Sequence, residues 1–160
     1  MRGAGAIRVA AVEAQKIREN GFIMPDLASL GAEVTLKTTC DLFGAAVLRG
    51  RVDEIRSQLG VLICTAVVVA GVAVDDGIAH AEAAADRNSH KPGWRQCPLR
   101  VLFDKLEEET REFLEALANG PRWEVFLELG DLVWVAVMIA DHDCTLGEWT
   151  REAEGEEQAS

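Results

Sequence analysis

Two pairs of acidic residues lie in the second half of the chain, and each pair is separated by three positions. Glu109 and Glu112 form the first pair, and Glu128 and Asp131 form the second. Residues three apart lie on the same face of a helix, so each pair can direct two carboxylates at one point. Four crowded carboxylates repel one another and lose hydration, which is costly without a cation. Oxygen ligands hold hard cations such as Mg²⁺, so the spacing predicts a magnesium site that handles phosphates.

The elements that must position these acids are two helices joined by a tight connection. Asn119-Gly120-Pro121 separates the two acidic pairs. Glycine favours the position just past a helix end, and proline favours the first turn of the next helix. Both flanking segments are apolar on their other faces. The sequence therefore predicts two antiparallel helices that bring the four carboxylates together on a largely apolar surface.

Helical spacing of apolar residues extends over most of the remaining chain. It predicts helices at about 6–19, 32–48 and 52–72, and a fourth helix that Asp75-Asp76 caps and that continues to residue 87. Residues 22–31 and 88–98 contain prolines and are predicted as connections, and a short last helix is predicted from Thr145. Uncharged Leu59–Val74 is shorter than the roughly 20 residues that span a bilayer. We therefore expect it to form a buried core helix.

Composition excludes several classes of protein. A chain of 160 residues that is 49% hydrophobic suits one domain, predicted to cover 1–160 with an acidic tail at 151–160. A net charge of −11 argues against a nucleic-acid polymer as partner but not against a small nucleotide. Neither a signal peptide nor a membrane anchor is expected. The four cysteines lack zinc-site spacing and are expected to be reduced thiols of a cytoplasmic protein: Cys40, Cys64, Cys97 and Cys144.

The chain resembles itself when it is shifted by 70 residues without a gap. This self-similarity predicts a first, degenerate repeat at about 1–97 and a second repeat at about 98–150. Identical pairs include Leu36/Leu106, Phe43/Phe113, Ala46/Ala116, Gly50/Gly120, Leu59/Leu129, Gly60/Gly130 and Leu62/Leu132. The first repeat lacks the carboxylates, because their positions are occupied by Thr39, Leu42, Gln58 and Val61.

The string KLEEETREFLEAL followed by ELGDLVW resembles the all-α nucleoside triphosphate pyrophosphohydrolases. This superfamily includes MazG, the dimeric dUTPases and phosphoribosyl-ATP pyrophosphohydrolase. The resemblance implies an all-α bundle of two related helical hairpins, arranged as a tandem pseudo-dimer. It implies Mg²⁺, with Mn²⁺ as a substitute, and cleavage of an NTP or dNTP to the monophosphate and pyrophosphate. It also makes a homo-oligomer plausible.

The resemblance assigns the acidic residues to roles. Glu109, Glu112, Glu128 and Asp131 match the metal ligands of the family, and Glu108 is the candidate to orient or deprotonate the attacking water. A cation at this place lowers the pKa of a bound water, so a nearby carboxylate needs only modest basicity. The sequence thus predicts metal-assisted hydrolysis of a phosphoanhydride.

Basic and aromatic residues provide candidate contacts for the substrate. Asn88 and Lys91 resemble the Asn and Lys with which the family binds phosphate, Arg95 is a further candidate, and Trp94 is the candidate nucleobase contact. The first repeat thus has this pair but no acids, whereas the second has acids but no such pair, which suggests one composite site. Lys105 either touches phosphate or pairs with Glu109 four residues later.

Two other classes of protein remain open at this point. A non-catalytic member of the same fold, acting by interaction or regulation, is supported by the acids that the first repeat lacks. A di-iron carboxylate bundle needs Glu-x-x-His pairs, and neither acidic pair has a histidine at that spacing. Trp123 and Trp134 have helical spacing and are expected to lie in the core rather than on a base.

Overall fold

The computed structural model describes residues 4–20, 27–88 and 97–142, and the protein is all-α, as predicted. These residues form six helices: α1 (Ala4–Glu19), α2 (Leu27–Arg49), α3 (Val52–Ala70), α4 (Val74–Asn88), α5 (Leu99–Asn119) and α6 (Arg122–Ala140). The helix predicted from Thr145, the acidic tail and most of the loop predicted at 88–98 lie outside the described residues.

The helix boundaries differ from the predicted ones at two places. Helix α2 begins at Leu27, but Gly31 interrupts it with φ 74°, so the regular part starts where the sequence predicted. Glycine tolerates this left-handed conformation because it has no Cβ. Helix α4 already begins at Val74, so Asp75 and Asp76 lie in its first turn. They can still interact favourably with the positive end of the helix dipole there.

The core contains the same residue positions in both repeats. Helices α2 and α3 form one hairpin, helices α5 and α6 form the other, and α3 packs against α6. Their identical apolar residues are at most 4% exposed in each repeat: Leu36/Leu106, Phe43/Phe113, Ala46/Ala116, Leu59/Leu129 and Leu62/Leu132. The self-similarity of the sequence therefore reflects a shared pattern of buried side chains.

One contact joins equivalent positions of the two hairpins. Cys40 Sγ on α2 lies 3.6 Å from Thr110 Oγ1 on α5, and these residues are 70 positions apart. Equivalent residues of two copies contact each other only close to the axis that relates the copies. The α2–α5 contact therefore places a local pseudo-two-fold axis between the hairpins.

The first helix of each half packs in a corresponding way. Arg56 on α3 pairs with Glu13 on α1 at 3.1 Å. At the equivalent position of α6, Phe126 stacks on His80 of α4 with ring centroids 4.9 Å apart. Helix α1 thus packs on α3 as α4 packs on α6. The similarity between the two hairpins therefore extends to the helix that packs on each of them.

Helix α3 contains most of the uncharged segment at 59–74. Most of its residues from Leu59 to Ala70 are buried, whereas Val68 is 47% exposed. Within the described residues, no single helix is long and apolar enough to cross a membrane. Helices α3 and α4 meet that criterion only when taken together, and they are bent by 102°.

Candidate metal and phosphate site

Three of the four predicted carboxylates meet between α5 and α6. Glu109, Glu112 and Glu128 each direct one carboxylate oxygen into a group whose members lie within 4.8 Å of one another. Two oxygens bound to one Mg²⁺ are about 3–4 Å apart, because each lies about 2.1 Å from the ion. Small side-chain adjustments would therefore bring these oxygens to coordination distance. In the described part of the chain, this is the one group of three or more acidic, Cys or His residues close enough to hold a metal.

Glu109 is the buried member of this group. Its side chain is 6% exposed, and its Oε1 forms an ion pair with Lys105 Nζ at 2.8 Å. Its other oxygen, Oε2, is buried and has no hydrogen-bond partner. Burial raises the pKa of Glu109, the ion pair with Lys105 lowers it, and the charges of Asp131 and Glu112 raise it further. A buried carboxylate oxygen without a partner is costly, so Glu109 fits a group that would receive a cation.

Glu128 has the most perturbed acidity of the described carboxylates. Burial and the neighbouring charges of Glu112, Asp131, Glu109 and Glu124 raise its pKa from 4.5 to about 7. Repulsion of this kind is removed when a divalent cation neutralises the group. Glu128 is thus partly protonated near neutral pH without metal.

Asp131 pairs with a basic side chain and lies outside the group that the other three carboxylates form. Arg87, in the last turn of α4, places its NH2 group 3.1 Å from Asp131 Oδ1. The charge of Asp131 nevertheless raises the pKa of both Glu109 and Glu128, so it acts on the same group electrostatically. Arg87 was not found by sequence reasoning. Its partner is 44 positions away, and no spacing rule connects the two.

A cleft opens from the carboxylate group along the hairpin towards its connection. Its volume is about 560 Å³, and it is lined by Glu112, Glu115, Ala116, Asn119, Gly120, Glu124 and Glu128. Glu115 and Glu124 therefore extend the acidic wall of the cleft beyond the carboxylate group. Their inclusion follows from the antiparallel register, because Glu115 stands opposite Glu124 as Glu112 stands opposite Glu128.

Lys105 and Glu108 lie beside the group and pair with each other. Lys105 Nζ is 3.3 Å from Glu108 Oε2 in addition to its shorter contact with Glu109. Burial lowers the pKa of Lys105, but these two ion pairs outweigh it and the net pKa is raised. The sequence predicted that Lys105 either touches phosphate or pairs with Glu109, and the structure contains the ion pair with Glu109. Glu108 remains 45% exposed and is free to face a solvent molecule.

The predicted phosphate contacts are described only in part. Asn88 is the last residue of α4, and its side-chain nitrogen donates to Ala84 O at 2.8 Å. Lys91, Trp94 and Arg95 lie outside the described residues. The composite site therefore stays a prediction, although the preceding residue, Arg87, already contacts Asp131.

Two remaining sequence predictions have different outcomes. Trp134 is 5% exposed and belongs to the core, as expected. Trp123 is 65% exposed, which corrects its assignment to the core. It lies in the first turn of α6, directly after the connection, where residues 121–123 are all exposed.

The first hairpin has no acidic group at the corresponding place. Thr39 is buried and donates to Thr35 O at 2.9 Å, so its hydroxyl is satisfied within α2. Leu42, which replaces the equivalent of Glu112, is 49% exposed. An exposed leucine cannot bind a cation or a phosphate. The two hairpins share a core but not this chemistry.

Comparison with known proteins yields one match. Residues 96–151, about a third of the chain, match the family model of the MazG nucleotide pyrophosphohydrolase domain. No curated protein and no solved structure matches the chain at a significant level. The matched segment covers α5, α6 and the acids of the carboxylate group. The second hairpin is therefore MazG-like, as the acidic motif predicted.

Proposed function

We propose that this protein is a Mg²⁺-dependent pyrophosphohydrolase that cleaves an NTP or dNTP to the monophosphate and pyrophosphate. The observation that carries the proposal is the convergence of Glu109, Glu112 and Glu128 within 4.8 Å. This convergence occurs in the segment that matches the MazG domain model. Hydrolysis of phosphoanhydrides is the chemistry for which such carboxylate groups with a divalent cation are suited.

The donor set of the site fits Mg²⁺ or Mn²⁺. Glu109 Oε2 is buried without a partner, and mutual repulsion contributes to the raised pKa of Glu128. Three carboxylates and no described His or Cys ligand favour a hard cation over Zn²⁺. We assign Glu109, Glu112 and Glu128 as ligands, with Asp131 as the fourth. When bound, the cation would neutralise phosphate charge and acidify a water molecule.

The residues around the ligands perform the remaining steps. Glu108 orients the attacking water and accepts its proton, while the water oxygen forms a bond to phosphorus and the bond between the α- and β-phosphates breaks. Pyrophosphate leaves with the electron pair of that bond. Lys105 holds Glu109 in position through the ion pair of 2.8 Å. Its contact with Glu108 also fixes the carboxylate that takes the proton.

The family resemblance proposes substrate contacts at Asn88, the last residue of α4, and at residues that follow it in the sequence. Asn88, Lys91 and Arg95 would bind the phosphates, and Trp94 would stack on the nucleobase. The side-chain nitrogen of Asn88 donates one N–H to Ala84 O, and its second N–H can donate to a phosphate oxygen. The base and the sugar of the nucleotide follow from none of these residues.

A panel of nucleotides tests the proposal through product identity. The purified chain is incubated with each ribo- and deoxyribonucleoside triphosphate and Mg²⁺, and the products are followed by phosphorus NMR. We expect equal amounts of nucleoside monophosphate and pyrophosphate from at least one nucleotide, and we expect EDTA to stop the reaction. Release of orthophosphate alone, or product formation that EDTA leaves unchanged, would contradict the proposal.

One observation favours a second candidate function, a non-catalytic binding protein. The first hairpin retains the buried core of the unit but carries Thr39 and Leu42 where the second carries Glu109 and Glu112. The fold therefore accommodates a hairpin without this acidic group. If no nucleotide is hydrolysed but Mg²⁺ and a triphosphate bind, this second function is the correct one.

A further inference from the structure

Arg87 is a basic group placed directly at the acidic site. Its guanidinium NH2 lies 3.1 Å from Asp131 Oδ1, and its side chain is 44% exposed. The contact joins α4 to α6 across 44 positions of sequence. Neither the acidic motif nor the match to residues 96–151 includes Arg87. The structure therefore adds a cationic side chain to a site that sequence comparison describes through its acids.

The excess of negative charge at the site indicates a role for Arg87. Seven acidic residues line the cleft, form the carboxylate group or pair with the basic side chains beside it: Glu108, Glu109, Glu112, Glu115, Glu124, Glu128 and Asp131. A triphosphate brings about four more negative charges, which one divalent cation does not neutralise. Among the described residues, Lys105 and Arg87 are the bases in contact with Glu108, Glu109 or Asp131. Lys105 is already shared by Glu108 and Glu109.

The guanidinium group has unused hydrogen-bonding capacity. Arginine carries five N–H donors in a planar fork, and the described contact with Asp131 uses one of its nitrogens. A second edge of the group can meet a phosphate in the bidentate geometry that arginine favours. Asp131 has two oxygens, so it can accept from Arg87 with Oδ1 and offer the other to a cation. In this arrangement Asp131 links Arg87 to the metal site.

The packing of α4 on α6 fixes this position. A Cβ added at Gly130 would fall 2.3 Å from the backbone oxygen of His80, so the two helices are in close contact there. Gly130 precedes Asp131, and His80 precedes Arg87 by seven residues, which places both α4 residues on the same helix face. The approach of Arg87 to Asp131 is thus set by a packed interface.

We propose that Arg87 binds a phosphate group of the substrate while its pair with Asp131 keeps it in position. The proposal rests on the proposed function, because it names a further substrate contact of the same site. Its ligand class is a metal-bound polyphosphate chain, independent of the base. Removal of Arg87 should therefore affect polyphosphate and metal binding differently. Loss of a neighbouring positive charge favours a cation, whereas it disfavours a phosphate.

Tripolyphosphate is the probe that tests this inference without knowledge of the nucleobase. Calorimetry compares its binding, in the presence of Mg²⁺, to the wild-type chain and to the Arg87→Gln and Arg87→Lys variants. We expect about tenfold weaker binding for glutamine, since a charge-assisted hydrogen bond is lost. We expect an intermediate loss for lysine, which keeps the charge but not the fork. Mn²⁺ binding, followed by electron paramagnetic resonance, should be unchanged or tighter.

Arg49→Gln is the matched control, because Arg49 is an exposed arginine of the first hairpin paired with Glu54 at 2.8 Å. It should leave both affinities unchanged. Tripolyphosphate binding by Arg87→Gln within twofold of wild type would overturn the inference and leave the proposed function intact. Equal weakening of Mn²⁺ and tripolyphosphate would also overturn it, because that result indicates a purely structural role. Failure of the wild-type chain to bind tripolyphosphate would contradict the proposed function itself.

Discussion

Replacing Glu112 by glutamine is expected to reduce pyrophosphate release by about 100-fold or more, equivalent to about 2.7 kcal/mol of transition-state stabilisation. The amide keeps the shape of the side chain but removes the negative charge that would hold the cation. Glu112 is the best choice because it is only half-buried and has no described ion pair, whereas Glu109 is buried and paired with Lys105. The rate is measured with the nucleotide that the wild-type chain cleaves fastest, at saturating Mg²⁺.

Glu107→Gln provides the control for this experiment. Glu107 lies on the same helix five residues before Glu112, is exposed, and is outside the carboxylate group. Its replacement should leave the rate within about twofold, as is usual for surface positions. Equal pyrophosphate release by wild type and Glu112→Gln would refute the enzymatic function. A similar loss in both variants would point to a general effect of surface charge instead.

Replacing Glu128 by glutamine is expected to stabilise the metal-free protein above pH 7 and to abolish its stabilisation by Mg²⁺. The pKa of Glu128 is raised from 4.5 to about 7 in the folded protein. The folded state therefore binds the proton more tightly than the unfolded state, so this residue's contribution to stability falls as pH rises from about 4.5 to about 7. Above pH 7 Glu128 is charged, and the full free-energy cost of its burial and of the neighbouring charges lowers the stability of the folded protein. Solvent screening limits it to about 1–2 kcal/mol.

Thermal and denaturant unfolding at pH 5 and pH 8, with and without Mg²⁺, measure this effect. Without metal, wild type should lose stability relative to Glu128→Gln between the two pH values. At a Mg²⁺ concentration of 100 times its Kd, wild type should gain about 2.7 kcal/mol, and the variant should gain much less. Glu107→Gln should behave as wild type. A Mg²⁺ response in Glu128→Gln as large as that of wild type would exclude Glu128 as a ligand.

The architecture of the second hairpin follows from rules that act over short distances. The Asn119-Gly120-Pro121 connection and the three-residue spacing of Glu109 and Glu112 determine helix ends and helix faces. Both depend only on local backbone geometry. Several apolar positions that are identical across the 70-residue shift are buried in both hairpins, so the self-similarity follows the core.

Contacts between helices that are distant in the sequence could not be predicted from such local rules. The pair of Arg87 and Asp131 depends on how α4 lies on α6, and that packing is set by the close approach at Gly130. The glycine alone is a signal of close packing but does not name the partner helix. Trp123 shows a second limit of such rules. Helical spacing indicates which residues share a helix face, but it does not show whether that face is covered at the start of the helix.

The two hairpins differ in the polarity of the contacts that they make with their neighbouring helices. The contact at equivalent positions of α3 and α6 is an ion pair in one half, between Arg56 and Glu13, and an aromatic stack in the other, between Phe126 and His80. Interhelical packing has thus been kept while the polarity of the contacts changed. The acidic group is formed by one hairpin, whose helix α6 packs against both α4 and α3.

The proposed function requires a cation between α5 and α6, and anomalous diffraction from crystals soaked in Mn²⁺ would locate it. We predict a peak within about 2.5 Å of carboxylate oxygens from Glu109, Glu112 and Glu128, and we predict that this peak is absent in Glu112→Gln. Ordered crystals that contain Mn²⁺ elsewhere but show no peak among these three carboxylates would contradict it.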